Sequence, residues 1–147
     1  TLPIMTESVG NAALRGAYRL VDVANPRIAL LASGSEVAIA CEAQQLLAKQ
    51  GVSAVVISVV CMEMFFKQPA SYQALVLPQA LQRVAIEAGS AQSWYDFNVP
   101  KNQVLAIDSF GASGKGAEVL AHFGIHVQAV VAKVLQAISQ KEKVRLV

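Results

Sequence analysis

The order of apolar and polar positions divides the chain into short unbroken apolar runs and longer amphipathic stretches. Ile28 to Ala32 is a run of five apolar residues with no polar alternation. That pattern marks a strand covered on both faces, as in a parallel sheet. It stops at Ser33-Gly34-Ser35. Beyond it Val37, Ile39, Ala40, Cys41, Ala43, Leu46 and Leu47 fall on one broad helical stripe. Ser33 or Ser35 is placed to cap this helix, Glu36 suits the positive end of its dipole, and Gly51 is its left-handed stop after about Lys49.

The strand–turn–helix unit then repeats. Val52–Val60 is β-branched and apolar, which predicts a second buried strand. Within the mixed stretch Glu63–Leu77, Pro69 opens a helix with Tyr72, Leu75 and Val76 inward, and Pro78 closes it. Gln82–Ala88 reads as a third strand, a helix carrying Trp94, Tyr95 and Phe97 follows, and Gln103–Phe110 reads as a fourth strand. After the glycine-rich turn Gly111–Gly116, helices over Ala117–Phe123 and Val127–Ser139 are expected, split at Gly124. Upstream, Ala17–Val23 alternates loosely before the turn Ala24-Asn25-Pro26, and we expect it to be an edge strand hairpinned onto Ile28–Ala32. Strands alternating with helices call for right-handed crossovers. The expected fold is α/β in three layers, helix–sheet–helix, with a mainly parallel five-stranded sheet and one antiparallel edge strand. Residues 1–16 read as a linker or arm from a preceding domain, 17–140 as the α/β domain, and 141–147 as a short charged tail.

At 147 residues, 54% hydrophobic and 15% charged, the chain has enough apolar surface for a real core. No uninterrupted apolar run approaches the roughly 20 residues of a membrane helix, so no membrane partner is expected. A net charge of +2 with no basic block gives no support to nucleic-acid binding. Cys41 and Cys61 lie inside expected elements without metal spacing and read as buried reduced thiols, and residues 1–15 lack the pattern of a signal peptide. The cytoplasm is the compartment expected. The start at Thr1 reads as a piece of something longer.

The candidate chemistry is sparse. Gly111-Ala112-Ser113-Gly114-Lys115-Gly116 follows a strand and precedes a helix, but neither the G-x-x-x-x-G-K-[ST] nor the G-x-G-x-x-G order is present. Ser33, Gly34 and Ser35 form a candidate anion or regulatory site, with Glu87 at the end of the third strand facing the same crevice. Neither serine sits in a G-x-S-x-G elbow. Glu87 also reads as a cap of the next helix. His122 and His126 lie four apart, but Gly124 between them breaks a shared face and no third ligand completes a metal set, so both read as surface residues. Phe65 and Phe66, beside Met62 and Met64, and Trp94 with Tyr95, are core or interface candidates. No catalytic, cofactor or metal residue is assigned. The residues read as a domain that assists another.

The spacing of these turns resembles the C-terminal domain of transketolases from about Arg15 to Lys133. The carriers are Arg15-Gly16-Ala17-Tyr18-Arg19-Leu20, Leu31-Ala32-Ser33-Gly34-Ser35-Glu36-Val37, the set Phe65, Gln68, Tyr72 and Val76-Leu77-Pro78, then Arg83-Val84-Ala85-Ile86-Glu87-Ala88-Gly89 before Trp94-Tyr95. Phe110-Gly111-Ala112-Ser113, Phe123-Gly124-Ile125 and Val130-Val131-Ala132-Lys133 continue the register. The resemblance implies a non-catalytic, dimer-supporting domain of an enzyme that moves a two-carbon ketol unit between sugar phosphates in the pentose phosphate pathway. It implies thiamine diphosphate and a divalent metal (Mg or Ca) for the full enzyme, none of them in this chain. The partners implied are the preceding domains and a second copy in a homodimer. Val59-Val60-Cys61 departs from the family's M-P-S, Phe66 stands where an acid is usual, and Ser113-Gly114-Lys115 replaces S-A-P. The alternative is a stand-alone α/β module that binds a nucleotide, another anion or a protein.

Overall fold

Three apolar runs make the centre of the sheet. The computed structural model describes residues 9–89, 91–107 and 116–146. Within them β2 (Ile28–Ala32), β3 (Ala54–Val59) and β4 (Gln82–Glu87) lie side by side and parallel. Leu30 stands opposite Val56 on one side and Val84 on the other. β1 (Ala17–Val21) and β5 (Val104–Ala106) flank them in the order β1-β3-β2-β4-β5, and only β1 runs antiparallel.

Alternate strand residues feed two cores. Ile28, Leu30, Val56, Val84 and Ile86 face α2 (Glu36–Lys49) and α5 (Gly116–Leu146). Ala29, Leu31, Val55, Ile57 and Ala85 face the other layer. That layer is α1 (Val9–Ala13), α3 (Met62–Phe66), α4 (Ala70–Val76) and a 3₁₀ segment over Ala91–Phe97. Each buried Leu, Ile, Val or Phe contributes about 1.5–3 kcal/mol, so both cores are needed to order a five-stranded sheet. The three-layer, mainly parallel architecture is the one expected.

Several local expectations need correction. β1 does not hairpin onto β2; it pairs with β3, with Ala17 opposite Val59 and Tyr18 opposite Ser58. Alternation in Ala17–Val23 reports which side is buried but not which strand is the neighbour. The neighbour is set by Gly16, whose carbonyl oxygen accepts the N–H groups of Val60 and Cys61 at 2.7 and 2.9 Å. α2 ends as expected in a Schellman arrangement: Gly51 at φ +79 donates to Ala48, Val52 donates to Leu47, and Val52 and Leu47 are buried in one cluster. Its start differs. Ser35 is helical at φ −66 and makes no capping hydrogen bond through its side chain.

The two closing helices are one. α5 passes through Gly124 and on over the expected tail to Leu146. An exposed glycine costs a helix only about 1 kcal/mol relative to alanine. The buried stripe Val127, Val130, Val131, Val134, Ala137 and Ile138 outweighs that. Continuity makes Leu120–Lys143 long and apolar enough to cross a membrane, at mean hydropathy 1.2, but the inner stripe of that segment packs on the sheet. The far end is tied down by an ion pair between Arg27 and Glu142. The Trp94 segment is 3₁₀ rather than α-helical, and of the expected strand Gln103–Phe110 only Val104–Ala106 is strand among the described residues, Gln103 lying in a 3₁₀ turn and residues 108–110 lying outside them. Cys41 is half-buried and Cys61 exposed, so only the first resembles the buried thiol expected of both. Residues 1–8 of the arm and 111–115 of the glycine-rich turn lie outside the described residues.

Candidate functional site

The chain leaves β2 for β3 on one side and leaves β4 for β5 on the other. The carboxyl ends of β2 and β4 therefore border the topological switch point, where open α/β sheets bind their ligands. Ser33-Gly34-Ser35 follows β2 there, and Glu87 ends β4. Gly34 takes φ +56 to turn the chain into α2, with the Glu36 and Val37 N–H groups donating back to Ser33 and Gly34. Glu36 folds over this turn, and its Oε2 accepts from Ser35 Oγ at 3.3 Å. The positive end of α2 thus carries its own carboxylate.

Glu87 is spent on structure. Its Oε1 accepts the Gly89 N–H at 2.8 Å, and its Oε2 accepts the indole N–H of Trp94 at 2.5 Å. Trp94 is fully buried, so this charge-assisted bond pins the 3₁₀ segment to the end of β4. The four aromatic candidates separate into two pairs. Phe65 and Trp94 are core residues, Phe65 stacking on Phe97 with ring centres 5.7 Å apart. Phe66 and Tyr95 are 38% and 54% exposed, and Val60 and Met64 are exposed near Phe66 along the same turn and helix.

The continuous α5 brings His122 and His126 onto one face after all, with ring centres 4.5 Å apart and planes at 88°. Both are half-buried rather than surface residues. Among the described residues no three His, Cys, Asp or Glu side chains gather into a metal site.

What the sequence reading missed is a set of buried polar residues that join segments. Arg83 is 6% exposed and has no carboxylate partner among the described residues. Its guanidinium donates to the carbonyls of Leu81, Phe97, Pro78 and Gln79 at 3.0, 2.6, 2.8 and 3.2 Å. Burial pulls the guanidinium below its ordinary range. Gln103 Nε2 donates to the Arg83 carbonyl at 2.6 Å. Arg19 donates to the Val76 carbonyl and pairs with Asp22, both at 2.9 Å, and the Tyr72 hydroxyl donates to the Ala17 carbonyl at 2.9 Å. A charged residue opening an apolar run, as Arg83 does, was the signal available.

Comparison with known proteins places this geometry. Residues 16–126 match the family model described as the transketolase-like TK C-terminal domain. The plasmid transketolase of Cupriavidus necator is 42% identical over 125 residues, 83% of this chain and 19% of the relative. The transketolase of Geobacillus stearothermophilus is 40% identical over 134 residues, 89% of this chain and 20% of that protein. Among solved structures, Pichia stipitis transketolase in complex with sedoheptulose 7-phosphate superposes with a TM-score of 0.75 at 29% identity, covering 93% of this chain and 20% of that one. Transketolase from Campylobacter jejuni gives 0.69 at 36% identity, covering 84% and 19%. The chain spans about a fifth of the length of the relatives it matches.

Proposed function

The chain belongs to the transketolase C-terminal domain family, and from that premise we propose that it is the non-catalytic, dimer-supporting domain of a transketolase. In this reading the assembled cytoplasmic enzyme transfers a two-carbon ketol unit between sugar phosphates of the pentose phosphate pathway. Thiamine diphosphate and a divalent metal are held by the preceding domains, and the cofactor supplies the carbanion chemistry. One observation carries the proposal. The acids that reach the switch point are already engaged, Glu87 by Gly89 and Trp94 and Glu36 by its own turn. The hydroxyl beside them, that of Ser35, donates to Glu36 itself. The outward Val60, Met64, Phe66 and Tyr95 supply apolar contact area instead.

The test is an assay of the 147-residue chain and of its full-length parent with thiamine diphosphate, Mg²⁺, xylulose 5-phosphate and ribose 5-phosphate. The chain alone is expected to show no turnover. In the parent, Phe66→Glu with Tyr95→Glu should shift the dimer toward monomer in analytical ultracentrifugation. Turnover by the isolated chain, or an unaltered dimer in the double variant, overturns the proposal.

A further inference from the structure

We propose that the amino-terminal edge of β4, opposite the switch point, carries a binding cleft for a small phosphorylated polyol, built around Arg83, Asn98 and Lys141. The cleft holds about 270 Å³. That is just under the ~300 Å³ at which ordinary small-molecule sites begin, so its ligand is a few carbons long. Three separate segments build its wall: the turn before β4 with Gln79, residues 98–103, and α5 with Lys141.

Charge selects the ligand. The lining holds two cations, Arg83 and Lys141, and no acid. Lys141 makes no ion pair among the described residues, and Glu142 beside it is turned to Arg27. Arg83 is fixed by four carbonyl oxygens that quench its hydrogen bonds without cancelling its charge. It is a cation placed before any ligand arrives, which lowers the ordering cost of binding an oxyanion. Two smaller clefts adjoin it: one of about 160 Å³ shares Gln79, Arg83 and Asn98 and brings in Asp96, and one of about 50 Å³ shares Gln103 and adds Lys133.

The amides select the rest of the molecule. Asn98 is exposed and held at φ +56, and neither its side chain nor that of Gln79 has a hydrogen-bond partner among the described residues. Gln103 uses its Nε2 on the Arg83 carbonyl, which leaves Oε1 as an acceptor. Carboxamides offer paired donors and acceptors, the complement of hydroxyl groups. Cations at one end and amides along the side match a phosphate ester on a polyhydroxylated chain.

The proposal goes beyond the transketolase reading and does not use enzyme activity as its readout, so the two fail separately. The experiment is a ¹H–¹⁵N NMR titration of the 147-residue chain at low salt with xylulose 5-phosphate, inorganic phosphate, free xylulose and sodium chloride. Saturable shifts confined to residues 79–83, 98–103 and 137–141 are expected, strongest for the sugar phosphate and absent for xylulose and chloride. Lys141→Gln should weaken binding about tenfold, the worth of one charge-assisted hydrogen bond. Asn98→Gly keeps the backbone turn and should weaken the sugar phosphate more than inorganic phosphate. Absent or diffuse shifts, equal binding of the two phosphates, or an unchanged Lys141→Gln variant overturns the proposal.

Discussion

Replacing Gly16 by alanine tests the joint between the entering chain and the sheet. Gly16 sits at φ +91, and a Cβ there would overlap the Cys61 carbonyl oxygen and the Phe65 amide nitrogen, with the Met64 carbonyl carbon at 3.0 Å. All three are backbone atoms, so no side chain can swing aside. The left-handed backbone costs alanine about 1–2 kcal/mol. Pushing the β3–α3 turn away adds about 1–3 kcal/mol of overpacking. Stretching the hydrogen bonds that Val60 and Cys61 donate to Gly16 adds about 1 kcal/mol. The expected loss is about 3–6 kcal/mol, a large share of the ~5–15 kcal/mol that holds a domain. Urea unfolding followed by the fluorescence of Trp94, the single tryptophan, measures it. The melting temperature should fall by about 10–20 °C for a chain of this size. Gly124→Ala is the companion: the same added methyl group meets nothing within 4 Å inside α5, and should gain up to about 1 kcal/mol. A Gly16→Ala loss under about 1 kcal/mol would refute the close approach, and a destabilising Gly124→Ala would refute the unbroken helix.

Trp94→Phe keeps the ring but removes the indole donor from Glu87, and should cost about 2–3 kcal/mol by circular-dichroism melts. Adding Glu87→Gln to that variant should cost less than Glu87→Gln alone, a coupling of about 1 kcal/mol. Arg83→Met strands four carbonyls and should cost about 3–5 kcal/mol in urea unfolding. Arg83→Lys should recover less than half of that, because an ammonium has three donors and no planar fork. Burial lifts the Cys41 thiol above its ordinary value, so its contribution to stability is full below the unfolded value of about 8.5 and is lost as pH rises through the folded one. Melting temperatures from pH 8 to 10.5 should fall more steeply in the wild type than in Cys41→Ala.

Strand positions were legible because burial on both faces leaves no polar residue in Ile28–Ala32, and nearly none in Ala54–Val59. The stop of α2 was legible because Gly51 does a job only glycine does cheaply. The neighbour of β1 was not, since it depends on one carbonyl meeting a turn more than forty residues later. Gly124 misled for a related reason: its helix penalty is local and visible, whereas the valine stripe that overrides it is judged only against the sheet. At the carboxyl edge, Glu87 was found as an acid in the right place, but its engagement with Trp94 needed the fold of the intervening turn. The role of Arg83 was hidden because its partners are backbone carbonyls, which no residue type announces.

The sheet has two open margins, and they differ in kind. β5 offers three residues, too few to template another chain, whereas β1 offers five, with Leu20 39% exposed. The register of β1 against β3 slips between Arg19 and Val21, so its outer rim is bent where an incoming strand would have to lie flat. That irregularity works as a guard against fibrillar self-association, and straightening it would leave a border, the longer of the two among the described residues, able to recruit copies of the chain end on end.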